Sequence, residues 1–214
     1  MDTPGGTSAR VLVIVKSGWP LGLRLPAYRS FVRRGLTVAV VETLVHQSLR
    51  FADVPIVCDR IDADAVGPRV LERAAAIDGV LTFNESGLVC AAELAEAHGL
   101  PFLPVATARA AIDKRQQRDA FARAGLLQPD WLPLTGGDDA AGAIRRWGRA
   151  IVKPVDRAAS AAVSLVSTPD AARRAFELAR EESHSGGVLA EQVIEGPEVS
   201  VESLAVDGRQ RATA

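Results

Sequence analysis

Up to residue 104 the chain alternates short β-branched apolar runs with helix-length segments, and no tight hairpin turn joins one run to the next. The runs lie at 11–15, 36–41, 54–58 and 80–83. A strand apolar at nearly every position is buried on both faces, and strands joined through helices run parallel. This rhythm therefore predicts an α/β fold, a parallel sheet with helices on both sides. The punctuation agrees. Pro26 stands in the first turn of a helix over 25–34 that Gly35 closes. Asp62 can cap a helix over 63–76. Ser86 opens a helix over 87–98, with an apolar stripe at Leu88, Ala91, Ala92, Leu94 and Ala95 and a stop at Gly99. Pro55 removes a ladder donor, which sends the third run to a sheet edge.

Ligands of such sheets gather at the carboxyl ends of the strands. Those ends carry Lys16, Ser17 and Gly18, then Glu42, then Asn84 and Glu85. No Gly-x-Gly-x-x-Gly follows the first strand, so the phosphate turn of dinucleotide-binding domains is missing.

Beyond the connector Pro101-Phe102-Leu103-Pro104 the pattern changes to α+β. A helix is predicted over 107–124, with Asp113-Lys114 in its middle and Gly125 as its cap, and a shorter one over 138–147. Two β-branched runs at 150–155 and 163–166 flank a small-residue loop, Arg157-Ala158-Ala159-Ser160-Ala161-Ala162, and predict a hairpin. Thr168-Pro169-Asp170 starts a helix to about Ser183, combining a cap, a first-turn proline and a first-turn acid. Strands follow at 188–194 and 199–206, and Asp207-Gly208 signals a tight turn into a returning strand over 209–214. An open edge there would be a pairing surface, which favours association into an oligomer.

Composition excludes several classes. Of 214 residues 48% are apolar, ample for a buried core, and 25 basic residues against 26 acidic ones offer no footprint for nucleic acid or a polybasic membrane contact. No apolar run approaches the roughly 20 residues of a membrane span. Residues 1–8 contain an acid and no apolar centre, the pattern of a frayed tail rather than a secretory signal. Cys58 and Cys90 lack metal-ligand spacing and sit in apolar segments, as structural thiols of a cytoplasmic protein do. Only three of the basic residues are lysine: Lys16, Lys114 and Lys153. In a chain that otherwise uses arginine, a lysine marks a place where a compact point charge serves better than a planar fork.

The order Asp113-Lys114, then Ile151-Val152-Lys153-Pro154 with its small-residue loop, then Glu191-Gln192-Val193-Ile194-Glu195-Gly196-Pro197-Glu198, with about 40 residues between successive motifs, resembles the ATP-grasp superfamily and in particular its carboxylate-amine ligase branch. The resemblance covers nearly the whole chain. It implies a Rossmann-like pre-ATP-grasp domain over 1–104 and, over 105–214, an incomplete α+β ATP-grasp domain comprising its first lobe and the start of its second. It further implies that Lys114 and Lys153 contact ATP phosphates, and that the 157–162 loop closes over them with Ser160 as a contact. Glu191, Gln192, Val193 and Ile194 would form the adenine hinge, and Glu198 would bind the ribose hydroxyls, two donors suited to an acceptor-only carboxylate.

The implied reaction is ATP-dependent activation of a small-molecule carboxylate as an acyl phosphate, followed by attack of an amine. Magnesium would be needed, and the family's metal-binding residues fall beyond Ala214, so this chain is expected to carry half of the nucleotide site and to be inactive alone. The alternative is a non-catalytic nucleotide-binding or interaction module that relies on a partner for the metal-binding acids. The loop departs from the family in one respect: Arg157, Ala159 and Ala162 stand where glycines are usual, and alanine resists positive φ.

Overall fold

The computed structural model describes residues 10–18, 21–206 and 209–212. Two compact units divide after Gln117. In the first, strands β1 (Val11–Val15), β2 (Thr37–Glu42), β3 (Val54–Val57) and β4 (Gly79–Leu81) form a sheet in the order β3-β2-β1-β4, every neighbour parallel. Helices α1 (Leu25–Arg33), α2 (Ala63–Ala74), α3 (Leu88–Ala97) and α4 (Val105–Ile112) complete the unit.

The sheet is buried from both sides, as its uninterrupted apolar strands require. Val13, Val15, Ala39 and Val41 meet Val66 and Val70 of α2 and Leu94 of α3 on one face. Ile14, Val38 and Val40 meet Tyr28 of α1 on the other. β3, with Pro55, occupies an edge of the sheet. Cys58 and Cys90 are free, buried thiols in the first of these cores, and burial pushes the Cys90 thiol up to about 12.

Helix boundaries moved where a local cap overrode periodicity. Asp62 accepts the Ala65 N–H at 2.8 Å and starts α2 as expected, but α2 ends at Ala74, with Ala75 left-handed at φ 60°. Asn84, not Ser86, supplies the cap before α3: its Oδ1 accepts from both the N–H and the hydroxyl of Ser86, and a 3₁₀ turn (Glu85–Gly87) precedes the α-helix. The largest correction concerns the single helix predicted over 107–124. The chain breaks at Asp113, which is extended at φ −115° and ψ 112°, giving α4 and a separate α5 (Lys114–Arg123). The Asp113 carboxylate accepts the Arg115 and Gln116 N–H groups and ion-pairs with the Arg115 guanidinium at 2.9 Å. An aspartate that caps so well competes with continuing the helix through itself.

In the second unit β5 (Trp131–Leu134), β6 (Ala150–Pro154), β7 (Ser164–Val166) and β8 (Val188–Gln192) form an antiparallel sheet in the order β5-β8-β6-β7. Helices α6 (Gly137–Trp147) and α7 (Pro169–Glu182) pack on it through Ala140, Ile144, Ala172 and Phe176, against Val152, Val188 and Ala190. Thr168 caps α7, accepting the Ala171 N–H. Sequence pattern alone missed β5, whose Pro133 suits it to the sheet edge where it lies. A further antiparallel pair, β9 (Ser203–Val206) with β10 (Arg209–Ala212), forms the predicted hairpin, but its first strand begins only at Ser203, and 199–202, predicted as strand, is irregular. Its Asp207-Gly208 turn lies outside the described residues, as do residues 1–8.

Candidate functional site

Strand alternation sets the geometry of the second unit's site. Ala150, Val152 and Pro154 of β6 are buried while Ile151 and Lys153 are half-buried between them, and in β8 Val188 and Ala190 turn to the helices, leaving Leu189 and Glu191 on the opposite face. The antiparallel register sets Ile151 across from Glu191 and Lys153 across from Leu189. Lys153 and Glu191 are thus diagonal neighbours on one face, a separation that two long side chains can close. They do: the Lys153 ammonium is 2.6 Å from Glu191 Oε2.

A second cation shares that carboxylate. Arg118 Nε donates to Glu191 Oε1 at 2.8 Å, and the Arg118 carbonyl accepts from the Gln128 amide at 2.9 Å. Glu191 is buried, 6% exposed. Burial pushes its carboxyl up, but the hydrogen bonds and charges of Arg118 and Lys153 outweigh this and hold it below the ordinary glutamate range. The trio carries one net positive charge on a largely water-excluded sheet face. Glu191 leaves the Lys153 ammonium two further donors and sets its position. Such a group suits an anionic oxygen. Arg118, four residues beyond Lys114, was not singled out from the sequence. Its link to Glu191 spans 73 residues, and nothing local to either residue announces it.

The loop after β6 is tied down at its base. Asp156 accepts from the Ser183 hydroxyl at 2.8 Å and from the N–H groups of His184 and Ser185 at 3.1 and 2.8 Å. Burial raises its carboxyl, and the Ser185 and Ser183 side chains with the Ser185 and His184 N–H groups more than reverse that, holding it below the usual range. Arg157 reaches back to His184 and Glu182. Beyond this base, Ala159, Ser160 and Ala162 adopt φ of 55°, 58° and 52°. The loop therefore takes the left-handed turns for which glycine is the usual residue, and takes them with side chains in place at about 1–2 kcal/mol each. Ala162→Gly should raise stability by about 0.5 kcal/mol, relief of strain exceeding the added chain entropy. Urea denaturation of the full chain measures this, and a clear loss of stability would mean that the loop does not hold that conformation.

The other predicted site residues are distributed as follows. Gln192 ends β8, its N–H on the Asp130 carbonyl at 2.8 Å. Val193 is half-buried, while Ile194 and Glu198 are exposed on the irregular stretch after the strand. Glu195 pairs with Arg149 at 2.6 Å. Ser160 is exposed at the tip of its loop. Lys114 belongs to the first unit, at the start of α5 directly after the Asp113 cap.

At the carboxyl ends of the first unit's strands, Glu42 is 3% exposed and committed to its surroundings. Its Oε2 is 3.1 Å from the Lys16 ammonium, and its Oε1 accepts the Ser17 N–H at 2.9 Å and the Ser48 hydroxyl at 3.2 Å. Lys16 itself is left-handed, φ 61°. The Tyr28 hydroxyl lies 3.1 Å from Ser17 Oγ, continuing this polar chain. Glu42 and Asn84, candidate substrate contacts in the sequence, are thus occupied in shaping the strand-end loops. Among the described residues no three His, Cys, Asp or Glu side chains cluster as a metal site needs, and no helix is long and apolar enough to cross a membrane.

No protein-family model and no curated protein sequence matches the chain. Solved structures do. An L-amino acid ligase from Bacillus licheniformis is similar with a TM-score of 0.72 and 24% identity, over 96% of this chain and 50% of the ligase. A phosphoribosylglycinamide synthetase from Anaerococcus prevotii matches with a TM-score of 0.65 and 20% identity, over 94% of this chain and 50% of its own. The biotin carboxylase domain of the Hydrogenobacter thermophilus 2-oxoglutarate carboxylase, solved as a dimer with MgADP, ADP and bicarbonate, matches with a TM-score of 0.70 and 15% identity, over 87% of this chain and 44% of its own. The chain spans about half the length of these structures. At these identities the likeness is one of fold alone.

Proposed function

We propose that the chain carries part of an ATP-grasp fold, that its second unit grips the phosphates of ATP, and that it supplies part of an ATP-dependent carboxylate-amine ligase. One observation carries the reading: a Lys153 ammonium held at 2.6 Å by Glu191, with Arg118 on the same carboxylate, which leaves one uncompensated positive charge on a protected sheet face. A fixed cation in such a setting interacts with phosphate oxygens more strongly than one on a mobile surface chain, because its orientation is settled before the ligand arrives.

In the reaction so proposed, a substrate carboxylate oxygen attacks the γ-phosphorus of ATP, ADP leaves, and an amine nitrogen then attacks the acyl carbon and expels phosphate. The chain's own groups position and neutralise. Lys153 holds phosphate oxygen, Lys114 supplies a second cation, and the 157–162 loop with Ser160 covers them. Glu191, Gln192, Val193 and Ile194 offer the purine its edge contacts, and Glu198 offers the ribose its acceptor. Magnesium would neutralise further phosphate charge. This reading places the protein in the cytoplasm with ATP, a small carboxylate and an amine as its ligands.

Calorimetric titration with ATP tests the phosphate grip. The wild-type chain should bind, and Lys153→Ala should weaken binding at least about tenfold, the loss expected when one charge-assisted contact of roughly 1.5–3 kcal/mol disappears. Equal affinity of the two proteins would remove Lys153 from the nucleotide site and the reading with it.

A further inference from the structure

We infer that the first unit carries a second anion site, separate from the Lys153 cluster, that takes a phosphate monoester with an apolar body. Beside α1 and the 3₁₀ turn Gln47–Phe51 lies an open cavity of about 710 Å³, within the size range of small-molecule pockets. Its apolar lining includes Leu25, Tyr28, Val32 and Phe51. Tyr28 is almost fully buried, whereas Phe51, whose ring lies 5.9 Å from that of Tyr28, remains 43% exposed and Val32 64%. An apolar surface of this kind, left facing solvent beside a concavity, favours a ligand with a flat or branched hydrocarbon part.

The charges on its rim choose the rest of the ligand. Arg29 and Arg33, one helical turn apart on α1, and Arg50 on the 3₁₀ turn all line the cavity, and among the described residues none of them has a carboxylate within ion-pair distance. The α1 segment contains no acid at all. Asp53, the one acid on the lining, spends an oxygen on the Val38 N–H at 2.8 Å. Three guanidinium groups against one carboxylate leave an excess of two positive charges, which matches a phosphate monoester, about −1.5 to −2 at neutral pH. Guanidinium is also the side chain best shaped for paired bonds to phosphate oxygens. Nucleic acid fits less well, since its backbone would bring charge along an extended track where this groove places it around an apolar floor.

The test uses the full chain and 1-naphthyl phosphate, followed by calorimetry at low and at moderate salt. Wild type should bind it at least tenfold more tightly than inorganic phosphate or 1-naphthol, with affinity falling as salt rises. The variant carrying Arg29→Gln, Arg33→Gln and Arg50→Gln should lose at least tenfold. Each single substitution changes one exposed head group and should lose a measurable part of that, so misfolding of the triple variant would leave the test intact. Lys153→Ala should bind 1-naphthyl phosphate as wild type does, and the triple arginine variant should keep its ATP affinity, which separates this site from the nucleotide site. Undiminished binding by the arginine variants, loss of binding in Lys153→Ala, or tighter binding of an acidic aromatic peptide such as Asp-Glu-Phe-Glu-Asp would each overturn the assignment.

Discussion

Glu191→Gln should destabilise the second unit by about 3 kcal/mol, the low end of what removing one member of a buried ion pair produces. The amide keeps the shape of the side chain and cancels its charge. Lys153 and Arg118, 15% and 20% exposed in their side chains, would then face each other with no counterion between them. The reverse deletion is milder. Lys153→Met leaves Glu191 its Arg118 partner and should lower stability by only about 1 kcal/mol. Combining the two changes should recover part of the loss, a coupling that a double-mutant cycle isolates. Urea denaturation followed by Trp131 and Trp147 fluorescence, both of that unit, reads these differences. Equal stability of Glu191→Gln and Lys153→Met would sink the picture of one carboxylate balancing two cations.

The same cluster makes a pH prediction. The Glu191 carboxyl is held below its ordinary value, so the unfolded chain binds the proton more readily than the folded one. Its contribution to stability is therefore fully present above the unfolded value of about 4.3 and drains away as pH falls through the lower folded value. Wild type should lose more stability than Glu191→Gln over that acidic window, and the two curves should run parallel at neutral pH.

Gly87→Ala should have a comparable effect on the first unit, a loss of about 3 kcal/mol, and for a different reason. The backbone angles at Gly87 are ordinary, φ −97°, so conformation does not demand glycine there. Space does. A Cβ at this position would lie 2.4 Å from the Val15 carbonyl oxygen and 2.7 Å from Thr82 Oγ1. The first of these is backbone at the end of the central strand β1 and cannot swing aside, so β1 or the turn before α3 must move. Gly35→Ala is the informative contrast, a left-handed glycine at φ 66° with nothing within 4 Å of the place a methyl group would take, and it should lose only about 1–2 kcal/mol. Amide exchange distinguishes the units: in Gly87→Ala the protection of β1 and β2 should drop while that of β6 and β8 holds. Unchanged protection in β1 would show that the close approach is absent in solution.

Much of the first unit was legible in its sequence. Strands apolar on both faces can be buried only between helix layers, Pro55 can stand only where a ladder bond is dispensable, and the cap at Asp62 acts on an amide three residues away. These are local constraints, and local sequence carries them. The site was legible in part. Lys153 and Glu191 could be singled out by motif, but the contact between them depends on a strand register 38 residues apart. No short window contains it.

What the amino-acid order determined by itself was the parallel sheet, the helices that cover it, and the hairpin with its small-residue loop, because hydrophobic period and cap chemistry act within a few residues. Only the tertiary structure decided that Asp113 would stop one helix and start another, that Arg118 would be the second cation on Glu191, that alanines would hold the left-handed turns of the loop, and that Arg29, Arg33 and Arg50 would border one groove. Each is an outcome of competition between distant or alternative contacts, and such competition is resolved by which burial and which charge pairing the whole fold can satisfy together.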